Sequence, residues 1–456
     1  MSPSKYSQED YIVKTLGQCR FDSPLNLKAS KDGRSAGFTP DNVRIYSEIE
    51  NTRDPSCPTI ERAGPREKIY FRPAYTKAAL VTCGGLSPGL NHVIRSLFMQ
   101  LYYRYGVKNI IGIPYGYAGL NPDSNLKPIQ LTPENVANIQ RTPGTFLGSS
   151  RGSTDPEVMT QTLENEGVNI LFTIGGDGTL RAAHAICEEV QKRGLDLAVV
   201  GVPKTIDNDI NFVYKTFGFD TAVEEVRKVL ECAHAEAHSH QNGIGLVKVM
   251  GRDAGFIAAN ATIASREVNF CLVPEIPFEM LGANGFLRRL QERLIKRNHA
   301  VIVVSEGAGQ DLIQGERSKR DASGNLLHKD IGTFLRDGIE EFFKEQEIGI
   351  NLKYITPTYQ IRSVLPTAND SVFCDNLSRN AVHAAMAGKT DVVIGLWHNV
   401  FTHIPISIAT SERKRISPSS KLWFGVLEAT GQAESLLNDR DFVIDHSEEI
   451  MSGIDQ

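Results

Sequence analysis

From Lys77 onward the chain alternates short apolar runs, each closing in glycine or polar residues, with longer stretches whose apolar positions recur at helical spacing. The runs fall at residues 78–82, 110–113, 170–174, 199–202, 245–249, 300–304 and 392–396, and the helical patterns at 92–105, 180–193, 220–236 and 285–297. Runs that stay apolar instead of alternating predict strands buried on both faces, and the helical stretches between them predict crossovers, so the pattern reads as parallel sheet with covering helices. Residues 317–329 are charged and contain glycine, which reads as a surface loop. Residues 1–75 are rich in Ser, Pro, Asp, Arg and Lys without sustained periodicity and read as an extension. No short-period repeat or low-complexity tract interrupts the chain.

With 456 residues the chain has room for two or more α/β domains and a sizeable core. A net charge of −5 argues against nucleic acid or an anionic membrane as the main partner, so any basic site must be local. Seven cysteines with no C-x-x-C pair fit a reducing compartment better than a disulfide framework or a zinc site. The first residues lead into polar sequence and no apolar run reaches membrane-spanning length, so a cytoplasmic protein is expected.

Ligands of open α/β sheets gather at the carboxyl ends of the strands, so the residues just after each run are the candidates for chemistry. After the first comes Cys83-Gly84-Gly85-Leu86-Ser87-Pro88-Gly89, a glycine corner that suits either a bare turn or an anion held at a helix start. After the third comes Gly175-Gly176-Asp177-Gly178-Thr179, where Asp177 suits either a helix cap or a hard divalent cation that also takes phosphate oxygens. The fourth ends in Pro203-Lys204-Thr205-Ile206-Asp207-Asn208-Asp209. In extended backbone the two acids would face one side and the amide the other, either capping the next element or dividing the roles of base and anchor. Cations stand at matching places: Lys204, Arg151, Arg252, and Lys353 and Arg362 within residues 353–362. Several cations at loops of an acidic chain, beside two glycine corners, suggest a donor and an acceptor that both carry phosphate.

These motifs, together with Met250-Gly251-Arg252-Asp253-Ala254-Gly255-Phe256 and Pro274-Glu275-Ile276-Pro277 further on, resemble the 6-phosphofructokinase family over residues 78–405. Gly-Gly-Asp-Gly-Thr alone also occurs in NAD and lipid kinases; the Pro-Lys-Thr-Ile-Asp-Asn-Asp stretch with Met-Gly-Arg after it is far more specific. The resemblance implies an α/β fold of two Rossmann-like three-layer domains with mostly parallel sheets and the active site in the cleft between them. Expected boundaries are an extension at 1–75, an ATP and Mg²⁺ domain at 76–215 with a return segment at 370–405, a fructose 6-phosphate domain at 216–369, and a second extension at 406–456. It implies phosphoryl transfer from ATP to the 1-hydroxyl of fructose 6-phosphate, and a homotetramer.

Carried over residue by residue, Asp207 is the implied base, while Thr205 and Arg252 steady the transferring group. Asp209, Met250, Gly251, Glu306, Lys353, Tyr359 and Arg362 match acceptor positions. Gly85, Tyr117, Arg151, Gly176, Gly178, Thr179 and Lys204 match donor positions, with Asp177 at the metal. Where bacterial relatives carry an arginine that crosses from a neighbouring subunit, this chain has Gly243. Pyrophosphate-dependent relatives have aspartate at the position of Gly178 and lysine at that of Lys204. A carboxylate at 178 would repel the nucleotide and a lysine at 204 can swing aside, so the combination points to ATP, as in the trypanosomatid and plant enzymes. Pyrophosphate is the alternative donor.

Overall fold

The computed structural model describes residues 6–28, 37–48, 57–152, 154–315 and 327–438. Among these residues two sheets carry the architecture. The larger has nine strands, and its five central members, Val392–Trp397, Ala198–Pro203, Ile170–Gly175, Lys77–Thr82 and Asn109–Ile113, are parallel neighbours in that order. Their side chains alternate between two covered faces. Leu80, Phe172 and Val200 meet the helices Leu90–Met99 and Ala368–Met386, while Val81, Leu171 and Val199 meet Asp177–Arg193. With both faces dry, no polar alternation is needed, which is why these strands read as unbroken apolar runs.

The second sheet has four parallel strands in the order Phe270–Leu272, His299–Ser305, Gly243–Val249 and Asn351–Ile355. Phe219–His238 and Phe256–Ser265 cover one face, and Phe286–Arg297 and Ile331–Glu345 the other. The pattern at 92–105 divides in the structure into the α-helix Leu90–Met99 and a π-helical turn, Gln100–Tyr105.

The segment read as an extension is instead woven into the first sheet. Arg44–Tyr46 and Thr59–Arg62 prolong its antiparallel edge beyond Val400–Pro405, and Tyr11, Ile60 and Ile69 are fully buried. Glu61 anchors that edge in an interior ion group, with Arg66 at 2.9 Å, Lys389 at 3.0 Å and His403 Nδ1 at 2.9 Å. Strands of three and four residues, one of them held by Val400–Pro405 more than 300 positions away, leave no periodic trace in the sequence.

After Val400–Pro405 the chain turns through Ile406–Ala409 and crosses to the second sheet's side, where Trp423 of Lys421–Thr430 is buried against the second core and Leu436 bridges to Phe278. Residues 316–326, the greater part of the expected surface loop, lie outside the described residues, as does the tail beyond 438. Among the described residues no helix is long and apolar enough to cross a membrane. The carboxyl ends of the two parallel sheets turn toward each other, and the loops that close them share one set of charges.

Candidate active site

The corner after Ile170–Gly175 starts the helix Asp177–Arg193, with Gly176 at its cap. A Cβ at Gly175 would collide with the Thr179 side chain, so glycine is what lets the strand turn into the helix this tightly. Asp177 takes Arg181 Nε at 3.0 Å and leaves its carboxylate at the helix N-terminus, where negative charge is favoured. A Cβ at Gly178, by contrast, would meet nothing within 4 Å, so open space stands beside this turn.

Pro203–Asp209 leaves its strand in a different shape from the one the sequence suggests. Asn208 has φ 55°, so the backbone turns there instead of running extended. Its amide is turned into the next loop, donating to the Tyr214 carbonyl at 3.1 Å and accepting the Thr216 N–H at 3.0 Å. Thr205 Oγ1 accepts the Asp207 N–H at 3.1 Å. Asp207 Oδ1 is buried with no hydrogen-bond donor among the described residues. Burial pushes the Asp207 carboxyl up to about 8, with Asp209 and Glu306 adding repulsion and Arg413 and Lys204 opposing it. Burial also raises Asp209, against the pull of Arg413.

Lys204 is 5% exposed and donates from Nζ to the Gly85 carbonyl at 2.6 Å, which ties this loop to the first glycine corner. Burial holds the ammonium down to about 8, opposed by Cys83 and helped by Arg362 and Arg151. Both arginines close on the same corner: a Cβ at Gly85 would lie 3.2 Å from an Arg362 nitrogen and 3.7 Å from one of Arg151.

The second sheet supplies the opposite wall. Gly251 has φ 128° and no room for a Cβ against the Ala254 carbonyl, while a Cβ at Gly307 would strike the Arg252 carbonyl. These two glycines let the 250–255 loop lie directly on the turn that carries Glu306, whose N–H donates to the Val249 carbonyl. Burial raises the Glu306 carboxyl, opposed by Arg252, Lys248, Arg362 and Arg151. Met250 packs at the edge of the second core.

Three expected site residues are placed differently from the rest. Tyr117 is buried beneath the donor corner and donates its hydroxyl to the Thr179 carbonyl at 2.8 Å, so it supports that turn from below. Lys353 sits exposed in the middle of the edge strand Asn351–Ile355, paired in register with Gly245, away from the loops that close the cleft. Tyr359 is 69% exposed, and its ring lies 5.1 Å from the Arg362 guanidinium carbon, at the rim. Gly243, where an arginine was missed, starts its strand against Ala237, whose carbonyl oxygen would lie 2.0 Å from any Cβ. The backbone there excludes a side chain altogether.

One residue in the centre went unread. Arg413, from the segment after Ile406–Ala409, pairs with Asp253 and lies 3.7 Å from Asp209 and 4.0 Å from Asp177. Its only signal was the basic stretch Arg413-Lys414-Arg415 in an otherwise unassigned tail, and nothing in the local pattern aims that stretch at a site some 200 positions earlier.

Hard carboxylate oxygens such as those of Asp177 suit Mg²⁺. Among the described residues no three His, Cys, Asp or Glu side chains converge closely enough to hold an ion unaided. Mg²⁺ ordinarily takes one or two carboxylates and completes its shell with phosphate and water, which Asp177 and its neighbours can accommodate.

Carboxylates opposed to cations at the carboxyl ends of the parallel strands suit the movement of a phosphoryl group between phosphorylated molecules. The chain belongs to the phosphofructokinase family, whose model matches residues 77–385. It is 48% identical to the ATP-dependent 6-phosphofructokinase of Borreliella burgdorferi over 94% of this chain and 98% of that protein. The enzyme of the same name from Trypanosoma brucei brucei is 46% identical, over 93% and 88% respectively. Among solved structures, the pyrophosphate-dependent phosphofructokinase of Marinobacter aquaeolei aligns over 80% of this chain and 94% of that one with a TM-score of 0.64. At 19% identity that likeness concerns the fold alone.

Proposed function

We infer that this protein is an ATP-dependent 6-phosphofructokinase, transferring the γ-phosphoryl group of ATP to the 1-hydroxyl of fructose 6-phosphate. The observation that carries the donor choice is the open space beside Gly178, where an aspartate would project its charge and where this chain has no side chain at all. Lys204 accords with it, because its ammonium is engaged by the Gly85 carbonyl. The Borreliella and Trypanosoma relatives are both named ATP-dependent.

In this reading Asp207 takes the proton of the 1-hydroxyl as that oxygen bonds to the γ-phosphorus and the bond to the departing ADP oxygen breaks. Its buried, unpartnered Oδ1 is suited to receive a hydroxyl. Thr205 braces the Asp207 backbone, and Arg252, across the cleft, offsets charge on the transferring group. Glu306, Gly251 and Met250 line the acceptor side, Arg362 and Arg151 attract phosphate between the two loops, and Gly85, Gly176, Gly178 and Thr179 shape the donor side. Asp177 would hold Mg²⁺, which when bound offsets the negative charge of the donor phosphates. Lys353 and Tyr359 serve phosphate only if a neighbouring subunit or a loop movement brings them to it. A homotetramer, a cytoplasmic setting, and a division into donor and acceptor domains near residue 215 complete the proposal.

The test is a coupled assay of fructose 1,6-bisphosphate formation with each donor in turn. ATP should support turnover and pyrophosphate should not; turnover with pyrophosphate alone would overturn the reading of Gly178.

A further inference from the structure

Asp207 Oδ1 receives no hydrogen bond among the described residues, so the aim of this carboxylate depends on the backbone that carries it. That backbone is pinned by one residue of the loop that follows. The hydroxyl of Thr216 donates to the Thr205 carbonyl at 2.6 Å, and its N–H donates to the side-chain oxygen of Asn208 at 3.0 Å. The two contacts fall on either side of Asp207, and Thr216 itself is fully buried. Asn208 has φ 55°, a conformation that asparagine adopts more readily than most residues, and its amide nitrogen donates to the Tyr214 carbonyl at 3.1 Å, so its side chain staples the turn to the same loop.

Thr216 stands on a fixed seat. Its neighbour Phe217 bridges to Lys204 and accepts the Ser87 hydroxyl at its carbonyl, at 3.0 Å. The next residue, Gly218, has no side chain with which to cap the helix Phe219–His238, and the buried carboxylate of Asp370 does so from a distant helix, accepting the Gly218 N–H at 3.2 Å and the Thr221 N–H at 2.8 Å. The loop is therefore anchored to the first glycine corner and to a helix start before it reaches the turn of Asp207. A methyl group in place of the Thr216 hydroxyl would leave the Thr205 carbonyl without this partner and free that turn to shift.

We propose that Thr216 is a positioning residue for Asp207: its hydroxyl and N–H hold the turn on both sides of the base, and so keep in line a carboxylate whose Oδ1 is given no donor. The proposal rests on the reading of Asp207 as the base that takes the proton of the 1-hydroxyl.

The test is a steady-state double-mutant cycle on the full chain, following fructose 1,6-bisphosphate formation. Thr216→Val keeps the shape and the N–H and removes only the hydroxyl. It should lower kcat on the order of 10- to 100-fold, the cost of a small misplacement of a reacting group, with KM for fructose 6-phosphate within about twofold of the wild type. Thr216→Ser restores the donor and should recover kcat to within about threefold of the wild type. In an Asp207→Asn background Thr216→Val should cost less than about twofold, because the base through which it acts is already gone. Wild-type kcat in Thr216→Val, a serine variant as slow as the valine one, or an undiminished loss in the Asp207→Asn background overturns the positioning role while the base assignment stands. Wild-type kcat in Asp207→Asn alone overturns the base assignment and the proposal with it. If circular dichroism shows Thr216→Val unfolded, Asn208→Gly keeps the positive φ, removes the other pin and carries the same expectations for kcat, for KM and for the Asp207→Asn background.

Discussion

Asp207 sits where chemistry and stability pull against each other. Its carboxyl is pushed up to about 8, so the folded protein keeps a proton on it between the ordinary carboxylate range and pH 8, while the unfolded chain has already lost one. The unfolded state then binds fewer protons, and stability falls as pH rises through that window. Asp207→Asn should lower kcat by roughly three orders of magnitude or more while leaving fructose 6-phosphate binding largely intact, since only the transition state loses its base. The same variant should melt above the wild type at pH 8, by roughly 2 °C or more, with the difference vanishing as pH falls toward 4; an equal Tm across that range would mean the carboxyl is not destabilised by its burial. Gly178→Asp tests the donor side. A side chain there meets open space, so the fold should survive, and kcat/KM for ATP should fall by roughly 100-fold through repulsion of the nucleotide phosphates; unchanged ATP use would remove Gly178 as the discriminating residue. Asp207 and Gly178 were legible because their motifs are contiguous in sequence, and Arg413 was not because its partners are brought to it only by the fold.

The apolar runs at 78–82, 170–174 and 199–202 were readable as strands because both of their faces are dry, a property that the chain itself writes. The edge made by Arg44–Tyr46 and Thr59–Arg62 was not, because these short strands carry mixed burial and the pair joins the sheet only through the remote Val400–Pro405. Glu61 shows the cost of such a partner's loss. Burial alone would raise its carboxyl, but His403, Lys389 and Arg66 together hold it well below the usual carboxylate range. The stabilisation it contributes is therefore present above that range and is lost progressively as pH falls below it toward the depressed value of the folded state. Glu61→Ala leaves three buried basic groups short of their common partner and should cost about 3 kcal/mol or more in urea unfolding at pH 7. The deficit should shrink in acid, where the wild type loses the same charge; a cost under about 1 kcal/mol at pH 7 would mean the edge is held by its apolar contacts instead. Gly243 makes the complementary point about reading by resemblance: an arginine is absent there because the helix end at Ala237 occupies the space, a constraint visible only once helix and strand are packed.

The whole molecule places two parallel sheets mouth to mouth and lets a late segment bind them, so the cleft is assembled from stretches around residues 84, 177, 207, 252, 306, 362 and 413. The proposed assembly is open to direct measurement: sedimentation equilibrium or light scattering should give four times the mass of a 50.3 kDa chain, and a concentration-independent monomer would exclude a site shared between subunits. The sequence by itself determined the parallel α/β class, the strand ends to inspect, the phosphofructokinase resemblance and the motif residues that carry chemistry, because each is written in local periodicity or in a contiguous motif. Only the tertiary structure decided that Arg44–Tyr46 and Thr59–Arg62 build sheet edge, that Tyr117 lies buried beneath the donor corner, that Lys353 sits on an exposed edge strand, that Lys204 is engaged at Gly85, and that Arg413 lies among the carboxylates. Those facts depend on distances between residues far apart in the chain, and such distances exist only when burial and charge pairing have closed the fold.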